Sequence, residues 1–264
     1  MFFCVDERKL ETDYSMASVH SHEHWELYFL LSGNRRLFIE NRMFVIEKDA
    51  FAVIPPFKMH KTEGGPYERI NINFSSDFLS NEQKKFLEEC FEKGVLSLYG
   101  EHCDVIFSLL SEISKIQKRS LKQRSENEMN LTRTLLYFLE RQTSSALSPA
   151  SETLKSLTDD SLSLKIAYYL NTNFKENITL KTLEREFFLS KATLCKNFRE
   201  SMSISIMEYL TLIRLNRAKS LLTSTNKSVE EISTECGFSS ANYMGLVFKK
   251  EVGVSPLGYR KRVT

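Results

Sequence analysis

Short apolar segments alternate with turn residues between residues 19 and 74. The segments are rich in β-branched and aromatic residues, and Gly33-Asn34, Lys48-Asp49 and Gly64-Gly65 separate them. Such residues favour strands and turns, respectively. The pattern predicts an N-terminal β-sandwich or small barrel whose strands include WELYFLL, RRLFIE, MFVIE and FAVIPP.

Apolar residues recur at helical spacing from Phe78 to about Arg141. Two stripes predict helices that pack either on the barrel or on a second subunit, and the pattern leaves both alternatives open. The stripes are Leu109, Leu110, Ile113 and Ile116, and Leu131, Leu135, Leu136 and Leu139.

A Ser/Thr-rich segment without periodicity follows these stripes, and helical spacing resumes at Leu162. Segments of this composition are typical of linkers. We therefore expect a first domain at residues 1–142, a linker at 143–160 and a helical domain at 161–264.

The helical domain contains an internal repeat. Residues 183–205 match residues 232–255, at an offset of 49 that becomes 50 after one inserted residue. A repeat of this length indicates two similar supersecondary modules. The helix of residues 207–225 joins them, and it could present two helices to adjacent major grooves, about 34 Å apart along DNA.

Each copy predicts a helix-turn-helix, and the second copy has the clearer signals. Ser228 and Glu231 have capping-box spacing, and Gly237 falls where the turn requires a positive φ. Gly253 ends the second helix, and Ser255-Pro256 starts another. In that second helix we expect Tyr243, Val247 and Phe248 to face inward, and Asn242, Gly245, Leu246 and Lys249 to face outward.

Composition supports two domains with hydrophobic cores, because 42% of the 264 residues are hydrophobic. The five cysteines are scattered and form no C-x-x-C pair, which excludes a disulfide framework and a zinc finger. The N-terminus does not resemble a signal peptide, and the apolar runs are too short to cross a membrane. These features predict a cytoplasmic protein.

Charge separates the two halves of the chain. Residues 161–264 carry 16 Lys and Arg against 9 Asp and Glu, whereas residues 1–160 carry 20 against 25. A basic half beside an acidic half indicates that the C-terminal domain meets a polyanion. Together with the duplicated modules, this asymmetry favours DNA binding.

The last hundred residues resemble the AraC/XylS family of bacterial transcription regulators. The resemblance rests on Ile213–Leu222, Gly237-Phe238, Phe248–Lys250, Ser255-Pro256 and Tyr259-Arg260. The chain departs from the family pattern at five positions, which are Glu184, Phe188 in place of the turn glycine, Ser203 in place of a glycine, Met244 and Leu246.

The resemblance implies that the second helix of each module contacts DNA. Lys196 and Asn242 have the strongest base-reading chemistry, since lysine can bond guanine and asparagine can bond adenine. The implied base contacts are Lys191, Ala192, Thr193, Cys195, Lys196, Ser240, Asn242, Gly245 and Leu246. The implied phosphate contacts are Arg199, Lys249, Lys250 and Arg260.

The N-terminal half resembles the two motifs of the cupin fold, which imply four metal-binding positions at His20, His22, Glu26 and His60. These residues suit Fe, Mn, Ni or Zn. The alternative, which we favour, is that the histidines line or brace a ligand pocket without metal. His24 is expected at the surface or rim.

The same resemblance implies that this domain senses a small molecule, commonly a sugar. Aromatic rings that stack on a sugar and polar groups that bond its hydroxyls would form the site. YERININF resembles a barrel strand of such sensors. The expected pocket residues are His20, His22, Trp25, Glu26, Tyr28, His60 and Arg69.

Taken together, these patterns predict an α+β protein, with an N-terminal cupin-like β-barrel, flanking helices, and a C-terminal all-α domain with two helix-turn-helix motifs. We expect a sequence-specific transcription regulator, not an enzyme, without a cofactor. Its expected partners are double-stranded DNA, an effector, RNA polymerase and a second copy of the chain through helices near residues 104–142, with no membrane. The alternatives are a metal-dependent cupin enzyme or metal sensor fused to a DNA-binding domain, and a non-specific DNA-packaging protein.

Overall fold

The computed structural model describes residues 2–117, 124–143 and 161–263. An antiparallel sheet with three helices forms the N-terminal part, and helices alone form the C-terminal part, which confirms the predicted α+β class. The strands are β1 (Phe3–Leu10), β2 (Tyr14–Ser15), β3 (Trp25–Ile39), β4 (Arg42–Glu47), β5 (Ala50–Ile54), β6 (His60–Gly64), β7 (Tyr67–Phe74) and β8 (Val95–Ser97).

The long strand β3 organises the sheet. Its first half pairs with β5 and β7, and its second half pairs with β4 and β6. The prediction of two strands separated at Gly33-Asn34 was wrong, because a register shift near Leu30 bends the chain without ending the strand. Gly33 has a φ of 85°, and a Cβ there would lie 2.1 Å from the carbonyl oxygen of Pro66. Only glycine fits this bend.

Three strands, β1, β2 and β8, were not predicted. The eight residues of β1 pair with β7 along their whole length, and β8 pairs with β5. The first strand therefore precedes residue 19, where the apolar pattern had placed the start of the sheet. Strands β1 and β2 matter to the site, because Arg8 of β1 and Tyr14 of β2 line the cavity described below.

Three helices, α1 (Asn81–Lys93), α2 (Cys103–Gln117) and α3 (Arg124–Thr143), follow the strands. Leu110, Ile113, Leu135 and Leu139 are buried in the same hydrophobic cluster as the strands. The two apolar stripes therefore pack on the sheet, which was one of the two alternatives. The predicted linker, apart from Thr143 at the end of α3, lies outside the described residues.

Seven helices form the C-terminal part of the described chain, and they pack around two hydrophobic cores. The helices are α4 (Leu162–Asn173), α5 (Leu180–Phe187), α6 (Lys191–Met202), α7 (Ile206–Ser224), α8 (Val229–Glu235), α9 (Ala241–Val252) and α10 (Pro256–Val263). One core joins α4, α5, α6 and the first half of α7 to three residues of the sheet domain, Val19, Phe38 and Met59. The other joins the second half of α7 to α8, α9 and α10 alone.

The helices lack the length and apolar character needed to cross a membrane, as far as the described ranges extend.

Candidate functional sites

The second module has the local geometry that its sequence predicts. The backbone N–H of Glu231 donates to Ser228 Oγ (3.1 Å), and the N–H of Ser228 donates to Glu231 Oε2 (2.7 Å), which completes the capping box. Gly237 has a φ of 75°, and Gly253 has a φ of 82° at the end of α9. The helix α10 begins at Pro256 as expected. The pairs α5–α6 and α8–α9 are therefore two helix-turn-helix modules.

The first module makes the same turns without glycine. Phe188 occupies the position of Gly237 and has a φ of 54°, and Ser203 occupies the position of Gly253 and has a φ of 63°. Side chains with a Cβ rarely adopt this left-handed conformation, because it costs about 1–2 kcal/mol. Phe188 is also 91% exposed, so burial of its ring does not offset that strain.

The outer face of α6 presents the residues that were expected to contact DNA. Leu194, Phe198 and Met202 are buried, and this leaves the opposite face open. Of the expected base contacts, Lys191, Ala192, Thr193 and Lys196 are exposed and Cys195 is partly exposed.

The helix α9 is oriented in the same way, with one difference from expectation. Met244 and Phe248 are buried, whereas Tyr243 is 51% exposed. The expected inward position of Tyr243 was wrong, since one residue along a helix rotates the side chain by about 100°. Asn242 and Leu246 are exposed, Gly245 is partly exposed, and Ser240 accepts a hydrogen bond from the N–H of Tyr243 (3.1 Å).

The expected phosphate contacts fall into two groups. Arg199, Lys249 and Lys250 are exposed on the recognition helices. Arg260 instead donates from Nε to the carbonyl of Leu222 (3.2 Å) and from a terminal nitrogen to that of Lys227 (2.6 Å). Arg260 therefore braces the connection from α7 to α8, and its contact with phosphate stays a prediction.

A cavity of about 230 Å³ lies against the sheet of the N-terminal domain. Five expected pocket residues line it, namely His20, Glu26, Tyr28, His60 and Arg69. The other lining residues are Arg8, Tyr14, Met16, His24, Thr62, Tyr67, Asn71 and Asn73.

Two expected pocket residues lie elsewhere. Trp25 is in the main core, where its indole Nε1 donates to Ser76 Oγ (3.1 Å). Successive residues of a strand point to opposite faces, so the strand that turns Glu26 toward the cavity turns Trp25 away from it. His22 does not line the cavity, but its Nε2 lies 2.9 Å from Glu26 Oε2.

Glu26 is the centre of a buried polar cluster. His22 Nε2 and His60 Nε2 lie 2.9 and 3.5 Å from its Oε2, and Asn71 Nδ2 donates to its Oε1. Burial by itself would raise the pKa of Glu26, but the hydrogen bonds with the two histidines outweigh burial and hold that pKa below its usual range. The cluster therefore contains an ionised carboxylate.

The same cluster offers a set of metal-ligand atoms. One atom each from His22, Glu26 and His60 lies within 4.8 Å of the others, a donor set that suits several transition metals. His20, the fourth residue of the cupin motif, is outside this group. Burial lowers the pKa of His20 to about 4, so its imidazole is neutral near pH 7.

Two buried polar atoms of cavity residues make no hydrogen bond of standard geometry with the described residues, the hydroxyl of Tyr28, which has the guanidinium of Arg35 as a neighbour, and Oδ1 of Asn71. Tyr28 is 2% exposed and Asn71 is 9% exposed. Burial raises the pKa of Tyr28 to about 12, so the hydroxyl is a donor at neutral pH. Both residues line the cavity, and a ligand that reached these atoms would accept a hydrogen bond from the hydroxyl and donate one to the amide oxygen.

The sequence interpretation missed several of these cavity residues. Asn71 and Asn73 alternate with Ile70 and Ile72 in YERININF, and this period of two, aligned with Glu26, could have indicated them. Arg8 comes from β1, which was not predicted, and its guanidinium lies 4.4 Å from the ring centre of Tyr14.

Comparisons with known proteins agree with the duplicated modules. Residues 183–262 match a family described as a helix-turn-helix domain. The chain is 26% identical to the uncharacterized HTH-type transcriptional regulator YdiP of Escherichia coli K12, over 99% of the chain and 85% of that protein. It is 27% identical to the HTH-type transcriptional activator RhaR of Mannheimia succiniciproducens, over 92% of the chain and 87% of that protein.

Solved structures with similar modules include the DNA-binding domain of AdpA in complex with a target DNA. That match covers 39% of this chain and 93% of that one, at 26% identity and a TM-score of 0.38. ToxT of Vibrio cholerae matches over 99% of both chains, at 16% identity and a TM-score of 0.39.

The sequence relatives extend across both domains, and the matched helix-turn-helix region contains both copies of the duplicated repeat. Residues 183–262 form a helix-turn-helix domain of the AraC type, and the sequence relatives of the chain are AraC-family transcription regulators.

Proposed function

We propose that this protein binds specific DNA sequences through residues 161–264, and that a small polyhydroxyl molecule, a sugar, controls it from the cavity of residues 1–142. It would act in the cytoplasm, where bacterial promoters lie, and it would catalyse no reaction. The observation that carries the effector is the pair of unpartnered atoms, Tyr28 OH and Asn71 Oδ1, beside the cavity. A sugar hydroxyl both accepts and donates, so one or two hydroxyls would complete both hydrogen bonds.

The charges around the cavity also favour a neutral ligand. A terminal nitrogen of Arg69 lies 2.7 Å from Oδ2 of Asp6, which is one negative group, and the ionised Glu26 is a second. These groups balance the positive charges of Arg69 and Arg8. Tyr14 and Tyr67 also line the cavity, and each has a guanidinium over its ring, Arg8 at 4.4 Å and Arg35 at 4.3 Å from the ring centres.

A thermal-shift screen of neutral sugars and alditols tests the effector. A ligand present at a hundred times its Kd stabilises the native state by about 2.7 kcal/mol. We expect one sugar class to raise the melting temperature, and Tyr28→Phe to reduce the shift because it removes a single donor. The proposal fails if no sugar shifts the transition, or if Tyr28→Phe leaves the shift intact.

The two recognition helices, α6 and α9, carry the DNA-binding part of the proposal. Lys196 and Asn242 lie on their exposed faces and have base-reading side chains. Replacing either with Ala should cost about 1–3 kcal/mol in binding to the specific site. Lys181, exposed on α5, is the matched control, since Lys181→Ala removes one charge outside the recognition helices.

DNA binding is measured by fluorescence anisotropy, with the region upstream of the gene and a shuffled sequence of the same composition. Lys196→Ala and Asn242→Ala should lower affinity for the upstream DNA and reduce its advantage over the shuffled DNA. Equal affinity of the original protein for both DNAs at physiological salt would instead support a non-specific DNA-packaging protein.

Homodimerisation is proposed through the outward faces of α2 and α3. Tyr137 is 50% exposed there, next to residues that pack on the sheet. Tyr137→Glu should shift sedimentation from dimer to monomer if this face pairs with a second copy. An unchanged dimer would exclude this face.

A metal-dependent enzyme or metal sensor is the second candidate, because His22, Glu26 and His60 bring three ligand atoms together. A metal would have to compete with the hydrogen bonds that these residues already share. Elemental analysis of the purified protein distinguishes the two functions. A stoichiometric redox metal would support the metal candidate, and its absence after metal supplementation would exclude it.

A further inference from the structure

A two-stranded ribbon joins the cavity to the DNA-binding domain. The ribbon consists of residues 19–24 and 59–61, and its two segments pair through His20 and His60. The N–H of His20 donates to the carbonyl of His60 (3.0 Å), and the N–H of His60 donates to that of His20 (2.8 Å). These bonds fix the two segments side by side, so a shift of one moves the other.

One side of the ribbon faces the cavity. His20 and His60 line the cavity, as does His24. His22 and His60 both contact the carboxylate of Glu26, which lies on β3 outside the ribbon. A ligand that reaches Glu26 or the histidine rings therefore changes the forces on this side of the ribbon.

The other side faces the C-terminal end of the first recognition helix, α6. The N–H of Val19 donates to the carbonyl of Met202 (3.3 Å), and Lys61 Nζ donates to the carbonyl of Ser201 (3.0 Å). A cation at this end of a helix also interacts favourably with the helix dipole. The ribbon thus fixes the end of the first recognition helix.

The same side also holds the helix α7, which joins the two modules. Ser21 Oγ donates to Asn216 Oδ1 (3.0 Å), and Lys219 Nζ lies 3.0 Å from Glu23 Oε1. Met59 is in the shared hydrophobic core, and its sulfur accepts a hydrogen bond from Asn216 Nδ2 (3.4 Å). Contacts to α6 and α7 together set the orientation of the recognition helices relative to the sheet domain.

We propose that this ribbon transmits the state of the cavity to the recognition helices, because its side chains alternate in direction. His20 and His24 line the cavity and His22 contacts the carboxylate of Glu26, whereas Val19, Ser21 and Glu23 contact the DNA-binding domain. The inference rests on the proposed binding of an effector in the cavity. The ribbon is short, and neighbouring side chains share one backbone, so a displacement on the cavity side crosses the ribbon through covalent bonds and reaches α6 and α7 through the hydrogen bonds and the ion pair described above. Coupling of this kind requires an element whose arrangement both sites bias.

Amide hydrogen exchange of the full chain tests the proposal without DNA or effector. Glu26 lies outside the ribbon, and Glu26→Gln replaces the carboxylate that bonds His22 and His60 with a neutral amide, which weakens both interactions. We expect exchange to accelerate by about fivefold or more in the last turn of α6 and around Asn216 and Lys219 of α7, while α9 keeps its rate. His22→Gln is a second cavity-side variant, in case Glu26→Gln does not fold.

Two further variants make the comparison specific. Glu7→Gln is the matched control, since Glu7 lies on β1 of the same sheet, away from the ribbon, and accepts a hydrogen bond from Ser114 of α2. It should leave α6 and α7 unchanged. Ser21→Ala with Glu23→Gln removes two contacts between the ribbon and α7, and in this background Glu26→Gln should change α7 by less than about twofold, while α6, still bonded by Val19 and Lys61, keeps its response.

The proposal is overturned if α6 and α7 do not respond to Glu26→Gln or His22→Gln. It is also overturned if amide exchange accelerates in all helices together, or if the response of α7 persists undiminished in the Ser21→Ala/Glu23→Gln background. These outcomes leave the proposed function untouched, because it is tested separately with sugars and DNA. Conversely, if no sugar binds, faster amide exchange of α6 and α7 in Glu26→Gln still supports transmission through the ribbon.

Discussion

Phe188 is strained in the first module, and its removal should stabilise the protein. The residue has a φ of 54° at the turn between α5 and α6, where the second module has Gly237 at 75°. The left-handed conformation costs a residue with a Cβ about 1–2 kcal/mol. Glycine avoids that strain but loses about 0.5–1 kcal/mol more backbone entropy on folding. Phe188→Gly should therefore stabilise the native state by about 0.5–1 kcal/mol.

Because Phe188 is exposed, loss of its side-chain contacts adds little to the expected change in stability. Its side chain is 91% exposed, so truncation gives up little buried apolar area. The neighbouring Phe187 packs near Tyr169 with ring centres 5.9 Å apart, and it is left in place. The expected change comes from the backbone rather than from side-chain contacts.

Thermal unfolding of the full chain, followed by circular dichroism, measures the effect. For a chain of this size, 1 kcal/mol shifts the melting temperature by about 2–4 °C, so Phe188→Gly should raise it by about 1–4 °C. Phe188→Ala is the control, because it removes the ring and keeps the Cβ, and it should leave the melting temperature nearly unchanged. Phe188→Asn should fall between the two, since asparagine tolerates this conformation better than most residues.

Two results would refute the reasoning. If Phe188→Ala stabilises as much as Phe188→Gly, the exposed ring and not the backbone is the source of the strain. If Phe188→Gly destabilises the protein, the ring makes contacts that outweigh the conformational cost.

Three further changes have definite expected outcomes. Gly237→Ala should destabilise the second module by about 2 kcal/mol or more in chemical unfolding, because a Cβ there would lie 2.6 Å from the carbonyl oxygen of Phe174 at a φ of 75°. Burial lowers the pKa of His20 and of His24 to about 4 from 6.5. Since the unfolded chain then binds protons first, stability should be full above about pH 6.5 and fall progressively toward pH 4, and replacing both with Gln should flatten that loss in unfolding curves. Arg260→Ala should destabilise by about 1–3 kcal/mol through two lost backbone hydrogen bonds; unchanged stability with a smaller salt dependence of DNA binding would identify a phosphate contact instead.

The helix-turn-helix modules could be predicted from sequence because their signals are local. The capping box at Ser228, the glycines at turns and the proline after Ser255 act within a few residues of one another. Helical spacing alone was less reliable at the residue level, as the outward position of Tyr243 shows. Met244 and Phe248, four residues apart, form the buried face instead.

The sheet was harder to predict because its stability depends on partners far along the chain. Strand β1 reads as a mixed polar segment and forms only because β7, about sixty residues later, supplies its hydrogen bonds. The Gly33-Asn34 pair is typical of a turn, but it lies inside β3, where the strand bends against the backbone of Pro66. Glu26 faces the cavity and Trp25 faces the core because of the register of β3, and a shift of one residue would have exchanged their positions.

The shared core of the sheet domain and the first module constrains how the protein can be divided. Val19, Phe38 and Met59 are at most 2% exposed, and they complete the packing around α4, α6 and α7. A hybrid regulator that replaced residues 1–142 with an unrelated sensor would leave this apolar surface uncovered, although the second module would keep its own packing. Such a fusion would need three apolar side chains at the same place, or it would tend to aggregate.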